Sequence, residues 1–214
     1  GLLAEAFNSM AEDLGRLEQT RREFVANVSH ELRSPLTSIQ GFLTGMQDGT
    51  VPEEDRERYL SIVVEETKRL NRLITELLDL SRIESGQTEL HLTEFDLNER
   101  VARVLIRQES RITERNLDIQ LDFESDTCRV RADADRIEQV LINLIDNAIK
   151  YGGEGCTVRV STRRERDMVR VAVQDSGPGI AAEDLPCVFE RFYKADKAHT
   201  TGNGTGLGLA IAKK

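Results

Sequence analysis

The chain has 214 residues with 38 acidic and 29 basic side chains, a formal net charge of −9 and a pI near 5.0, a balance that does not favour nucleic acid as a partner. Charged residues make up 31% and aromatics 5%, with no Trp, which suits a helix-rich soluble protein. No apolar run approaches the roughly 18 residues of a membrane span, and Cys128, Cys156 and Cys187, without CxxC spacing, read as reduced thiols in a cytosolic setting.

The chain opens on Gly1 inside a helical pattern and stops at "GLGLAIAKK" without a terminator, so a piece of a longer protein is expected. Leu3, Phe7, Met10, Leu14, Leu17, Arg21, Phe24 and Val28 alternate spacings of four and three, the seam of a coiled coil with Arg21 as its polar break. The seam continues through Leu32, Leu36, Ile39, Leu43 and Met46, and successive steps of four between Phe24 and Leu36 make a stutter. His30, two residues past Val28, lies about 200° round the helix and so faces solvent. Pro35 falls inside the stutter, where it removes a backbone donor at about 3 kcal/mol. A helix built only for packing has no use for that.

A second helix follows "QDGT". Thr50 and Glu53 match a capping box with Pro52 between them, and the apolar seam runs Leu60, Val63, Thr67, Leu70, Ile74 and Leu77 to a stop at Gly86. One such hairpin has too little core to stand alone, and pairing two in a four-helix bundle predicts a homodimer. Beyond Gly86 the texture changes. "TELHL" reads as a short strand, Asp96 and Glu99 cap a helix to about residue 112, and "LDIQLDF" alternates as a strand. A long helix spans about 133–151, and "TVRVSTR" with "MVRVAVQ" forms a hairpin. The fold class predicted is α+β: a dimerising helical hairpin followed by an α/β sandwich.

The helix "RIEQVLINLIDNAIKYG" carries Ile137, Val140, Leu141, Leu144, Ile145 and Ala148 on its core face, and Asn143, Asn147, Lys150 and Tyr151 on a second stripe. Because Ile142 and Ile149 make it apolar nearly all round, the two amides are expected half-buried. Ordinary hydrogen bonding and a ligand site explain them equally well. "DSGPGI", Asp175 to Ile180, follows a strand, and its glycines permit a tight turn or close approach to a ligand. In "GNGTGLGLAIA", Gly202, Gly204, Gly206 and Gly208 open a helix whose amides can cradle phosphate. Polar "KAHTT" stands before these glycines instead of a strand, which argues against dinucleotide binding; no GxxxxGK[ST] loop exists, and the HRD and DFG signatures are absent.

"FVANVSHELRSPL", "NLIDNAIKY", "DSGPGI", "FERFY" and "GTGLGLAIA" resemble, in order, the five signature boxes of sensor histidine kinases. The resemblance covers the whole chain. It implies a signalling coiled-coil helix over 1–22, a dimerisation and histidine phosphotransfer domain over 23–86, and a gyrase-like ATP-binding domain over 87–214. It also implies further strands beyond the last glycine box, a membrane-anchored parent with this segment in the cytoplasm, and a response regulator receiver domain as partner.

Carried over by position, His30 takes the γ-phosphoryl group of ATP and Glu31 resembles the family's general base. Ser34 stands where Thr or Asn usually helps remove phosphate from the partner, and Pro35 with the stutter would loosen the helix for upstream signals. Asn147 resembles the Mg²⁺ ligand, Asn143 and Lys150 would hold the phosphates, and Tyr151 would cover the adenine. Asp175 would accept from the adenine amino group, with Gly177, Gly179 and Ile180 against the base. Phe189 and Phe192 would anchor the lid. Gly204, Thr205, Gly206, Leu207 and Gly208 would wrap the phosphates. The lid lacks the usual arginine, and Lys194 or Lys197 would supply its charge. Two rivals remain: an ATP-driven clamp, which has no need of "HELRSPL", and a nucleotide-binding coiled-coil scaffold, against which Glu31 and Asn147 argue.

Overall fold

The computed structural model describes residues 2–86, 89–195 and 204–214. The chain divides into two compact units, Gly1–Leu78 and Asp79–Lys214.

The first unit is a helical hairpin. Helix α1 runs unbroken over Leu2–Gln47 with Pro35 inside it, and α2 covers Arg56–Glu84 after a 3₁₀ turn at Glu53–Asp55. The capping box does not form. Pro52 takes the N-cap position without a side-chain bond, and the Asp48 carboxylate accepts instead from the Thr50 N–H at 2.9 Å. The inward face of α1 includes Val28, Leu32, Pro35, Ile39, Phe42 and Met46, with Pro35 fully buried. Its ring is therefore part of the core, and the helix continues through it. On α2, Tyr59, Val63, Leu70, Leu73 and Leu77 turn inward, and Tyr59 packs its ring 5.0 Å from that of Phe42.

The seams read from the periodicity thus separate into two stripes. Leu36 and Leu43 of the α1 seam and Leu60 and Ile74 of the α2 seam remain between 43% and 51% exposed, and Val64 and Leu78, outside the seam that was read, are 50% and 55% exposed. A single hairpin can cover one side of each helix, and these residues lie off that side.

Among the described residues, the second unit combines helices with two sheets, one of two strands and one of three. Strand β1 (Leu92–Asp96) pairs antiparallel with β3 (Arg129–Asp133). Strand β2 (Asp118–Phe123) pairs parallel with β4 (Thr157–Glu165), which pairs antiparallel with β5 (Met168–Asp175). The first strand is therefore "LTEFD", later than "TELHL", and β3 had no separate signal. Helix α3 (Leu97–Arg107) starts where Asp96 accepts from the Asn98 N–H. It ends at Gln108, before α4 (Glu109–Glu114), so the single helix expected to residue 112 is two. Helix α5 (Ala134–Tyr151) begins at Asp133, whose carboxylate accepts from the Asp135 and Arg136 amides.

Val101, Val104 and Leu105 of α3 and Leu141, Ile145 and Ile149 of α5 form the core with Val158 and Val160 of β4. Buried Thr162 donates its hydroxyl to Asn98 at 2.9 Å, and the Asn98 amide donates to Ser125 O at 2.8 Å. The polar groups beneath the helices are thereby satisfied.

Between α3 and α5, Glu138 accepts from Arg100 at 2.6 Å and also pairs with Arg107. These bonds, Arg100 foremost, hold its carboxyl below the usual glutamate value of 4.5. A carboxyl that titrates lower in the folded chain contributes stability above its unfolded value and loses it as pH falls. Glu138→Gln is expected to cost about 1–2 kcal/mol near pH 7, with the gap to wild type closing as pH drops below about 4.5. Urea unfolding of both proteins across pH measures this, and a gap constant with pH would refute it.

Candidate active site

The hairpin presents the first group of residues. His30 and Ser34 lie one turn apart on α1 and are both exposed, so they share a face. Glu31 is half-buried, its carboxylate 3.5 Å from the Arg69 guanidinium on α2. Sequence reading missed Arg69. It lies off the seam read on α2, so periodicity gave no signal for it.

The second group gathers in the second unit around the C-terminal half of α5. Asn143 and Asn147 are half-buried on one stripe of that helix, as expected. Asn143 is engaged: its amide donates to Gly208 O at 3.0 Å, tying α5 to the start of α6 (Gly208–Ala212). Lys150 donates to the Tyr151 hydroxyl at 3.0 Å, and Tyr151 is 53% exposed. A Cβ at Gly204 would meet the Lys150 ammonium at 2.6 Å, so the glycine backbone lies directly against that charge.

Strand β5 delivers Asp175, whose carboxylate accepts from the Gly177 N–H at 3.0 Å. A Cβ on Gly177 would come within 2.8 Å of both Asp175 Oδ1 and Gly152 Cα. The loop after β5 therefore sits on the end of α5 and tolerates no side chain there. Gly152, unremarked in the sequence, is the other half of that contact. Ser176 fastens the loop, donating its N–H to Thr157 O and accepting from the Thr157 N–H, each at 3.0 Å. Gly179 and exposed Ile180 lie further along the loop.

The Phe192 N–H donates to Gly206 O at 2.9 Å, joining the segments on either side of residues 196–203. Gly206 has φ +73°, and a Cβ there would come within 2.7 Å of the Phe192 backbone. Thr205 and Leu207 are buried, and the Leu207 N–H donates to the Thr205 hydroxyl. Phe189 is 44% exposed, and the Lys213 ammonium lies over its ring. Tyr193 donates its hydroxyl to the Asp184 carboxylate, which pushes its ionisation up to about 12. Lys194 is half-buried; Lys197 and Gly202 fall outside the described residues. All three cysteines are free thiols; burial foremost pushes Cys128 up.

The arrangement is a glycine-lined surface with one lysine, two amides and a carboxylate, suited to a polar, phosphate-bearing ligand. Among the described residues no three His, Cys, Asp or Glu side chains gather as a metal cage. The donor chemistry at Asn147 is a single amide oxygen. That fits Mg²⁺, which takes few protein ligands and completes its shell with water and phosphate oxygens.

Two family models match. Residues 20–86 fit the His Kinase A phospho-acceptor domain, and residues 132–214 fit the histidine kinase-, DNA gyrase B- and HSP90-like ATPase. The sensor histidine kinase WalK of Bacillus subtilis (strain 168) is 37% identical over 218 residues, covering 100% of this chain. The chain spans 35% of the length of that curated relative. Among solved structures, the Acinetobacter baumannii histidine kinase AdeS is 36% identical with a TM-score of 0.71, covering 86% of this chain and 83% of that one. The histidine kinase ThkA, in complex with response regulator protein TrrA, is 36% identical with a TM-score of 0.69, covering 80% of this chain and 50% of that one. The phospho-acceptor match includes His30, the ATPase match includes the α5 stripe and both glycine loops, and the chain belongs to the sensor histidine kinase family.

Proposed function

We propose that this chain transfers the γ-phosphoryl group of ATP to His30 and then to an aspartate on a response regulator receiver domain. The observation that carries this is the exposed imidazole of His30 on a hairpin helix whose next residue, Glu31, is held inward. A ring nitrogen of neutral His30 attacks the γ-phosphorus. The N–P bond forms as the bond to the β–γ bridging oxygen breaks, and ADP leaves with the electron pair. The proton on the other ring nitrogen passes to the Glu31 carboxylate. Asn143, Lys150 and the backbone of 204–208 orient the phosphates, while Asp175 accepts from the adenine amino group and Tyr151 covers the ring. Gly177, Gly179 and Ile180 border the base, and Lys194 adds charge beside the phosphates. Asn147 would hold Mg²⁺, which when bound offsets charge on the phosphoryl oxygens.

The exposed stripe of Leu36, Leu43, Leu60, Val64, Ile74 and Leu78 supports a second copy of the hairpin completing a four-helix bundle. The division at 22 and 86 assigns signalling, phosphotransfer and ATP-binding roles in chain order. No described helix is long and apolar enough to cross a membrane. The family assignment supports a membrane-anchored parent with this segment on its cytoplasmic side. The test is the phosphoprotein itself: incubation with Mg-ATP should give acid-labile, alkali-stable label that passes to a receiver domain, and acid-stable label would refute the reading.

Ser34 extends it. Exposed on the His30 face, its hydroxyl can orient water toward an incoming aspartyl phosphate. Serine lacks the methyl that restricts χ1 in threonine, so a working but weak phosphatase is expected. Ser34→Ala should slow decay of the phospho-regulator in the presence of ADP by about tenfold, and Ser34→Thr should hasten it. Equal decay with serine and alanine would show that the hydroxyl has no such role.

A further inference from the structure

Three charged side chains meet between α1 and α2, inside the hairpin unit. Arg69 Nη2 lies 3.5 Å from Glu31 Oε2, and Arg69 Nη1 lies 3.7 Å from Glu66 Oε2. The three side chains are only 21%, 18% and 22% exposed for Arg69, Glu31 and Glu66. Glu66 Oε2 is itself buried without a hydrogen bond, so the guanidinium is its ionic compensation. Glu66 lies three residues before Arg69 on the same helix, whereas Glu31 comes from the other helix and is adjacent in sequence to exposed His30.

We propose that Arg69 is a positioning residue for the reaction at His30, holding the Glu31 carboxylate in place across the hairpin. The proposal rests on the reading of Glu31 as the proton acceptor. Three physical grounds favour positioning over a merely structural pair. Neighbouring side chains on a helix point about 100° apart, so an exposed histidine and a carboxylate one residue later do not meet by helix geometry alone. Glutamate has three side-chain torsions to be restrained. A planar guanidinium reaching from the opposite helix restrains them with a donor geometry that lysine lacks. Glu66 in turn braces Arg69 from within α2, so its reach toward Glu31 is supported from behind.

The experiment measures the rate of His30 labelling against ATP concentration in wild type, Arg69→Gln, Arg69→Lys, Glu31→Gln and the double variant Arg69→Gln/Glu31→Gln. If Arg69 acts through Glu31, Arg69→Gln lowers the maximal rate about tenfold with the KM for ATP unchanged, and Arg69→Lys recovers part of it. In the Glu31→Gln background the further change from Arg69→Gln is less than twofold, because the group being positioned is already lost. Multiplicative losses in the double variant, or a shifted KM for ATP, would overturn the positioning role. Full rate in Arg69→Gln alongside lost rate in Glu31→Gln would overturn it while leaving the Glu31 assignment standing. Full rate in Glu31→Gln would instead remove the proton-acceptor reading and this inference together.

Discussion

His30→Gln is expected to reduce phosphoryl incorporation from γ-labelled ATP to background while nucleotide affinity stays within twofold of wild type. Glutamine approximates the reach and polarity of the imidazole, but its amide nitrogen is not nucleophilic. The substitution therefore removes the acceptor and little else. His30 is exposed on α1, so its loss opens no cavity in the hairpin. The residues of α5 and the glycine loops proposed to face the nucleotide belong to the other compact unit, which is why binding should survive. Labelling and binding of a fluorescent nucleotide, measured on the same preparation, decide the matter. Label of wild-type intensity on the variant would sink the assignment.

Asn147→Ala should lower the rate of His30 labelling by about 100- to 1,000-fold, the range for losing one preorganised group that stabilises charge in transfer. The physical cause is narrow. Asn143, one turn earlier, donates its amide nitrogen to Gly208 O, which fixes the side chain, so turning its oxygen to the vacated position would free the start of α6. Asn147 is half-buried on an exposed-edge stripe rather than in the core built by Leu141, Ile145 and Ile149. Truncation to alanine, the best helix former, should leave thermal unfolding within a few degrees of wild type. A second readout separates metal from fold: wild type should bind ATP more tightly with magnesium than without, and Asn147→Ala should bind equally in both. Retained activity with an unchanged magnesium dependence would refute the role.

These expectations lean on features of unequal legibility. The boundaries of α5 could be read almost to the residue, because Asp133 is a local cap and the apolar period persists for five turns. The β4–β5 hairpin was likewise legible from alternation and the short charged turn. His30 could be placed on an exposed face from helical periodicity, and the structure keeps it there. Each of these depends on neighbours in sequence.

What the sequence by itself determined, then, is the order of elements, the exposure of His30, the amide stripe on α5 and the family resemblance in five boxes. Tertiary structure alone decided the rest. Five-residue β3 has too few alternations to stand out, and it exists because β1 pairs with it across 33 or more residues. The apolar seams could not say which residues face the partner helix and which remain outside, since both stripes share nearly the same period; packing buried Pro35 and left Leu36 out. Gly152 acquired meaning only when Gly177 came to rest on it. Arg69 did so only when the hairpin turn brought it to Glu31, 38 residues away. Local periodicity reports the faces a segment can bury, and only the chain's return on itself selects which of them meet.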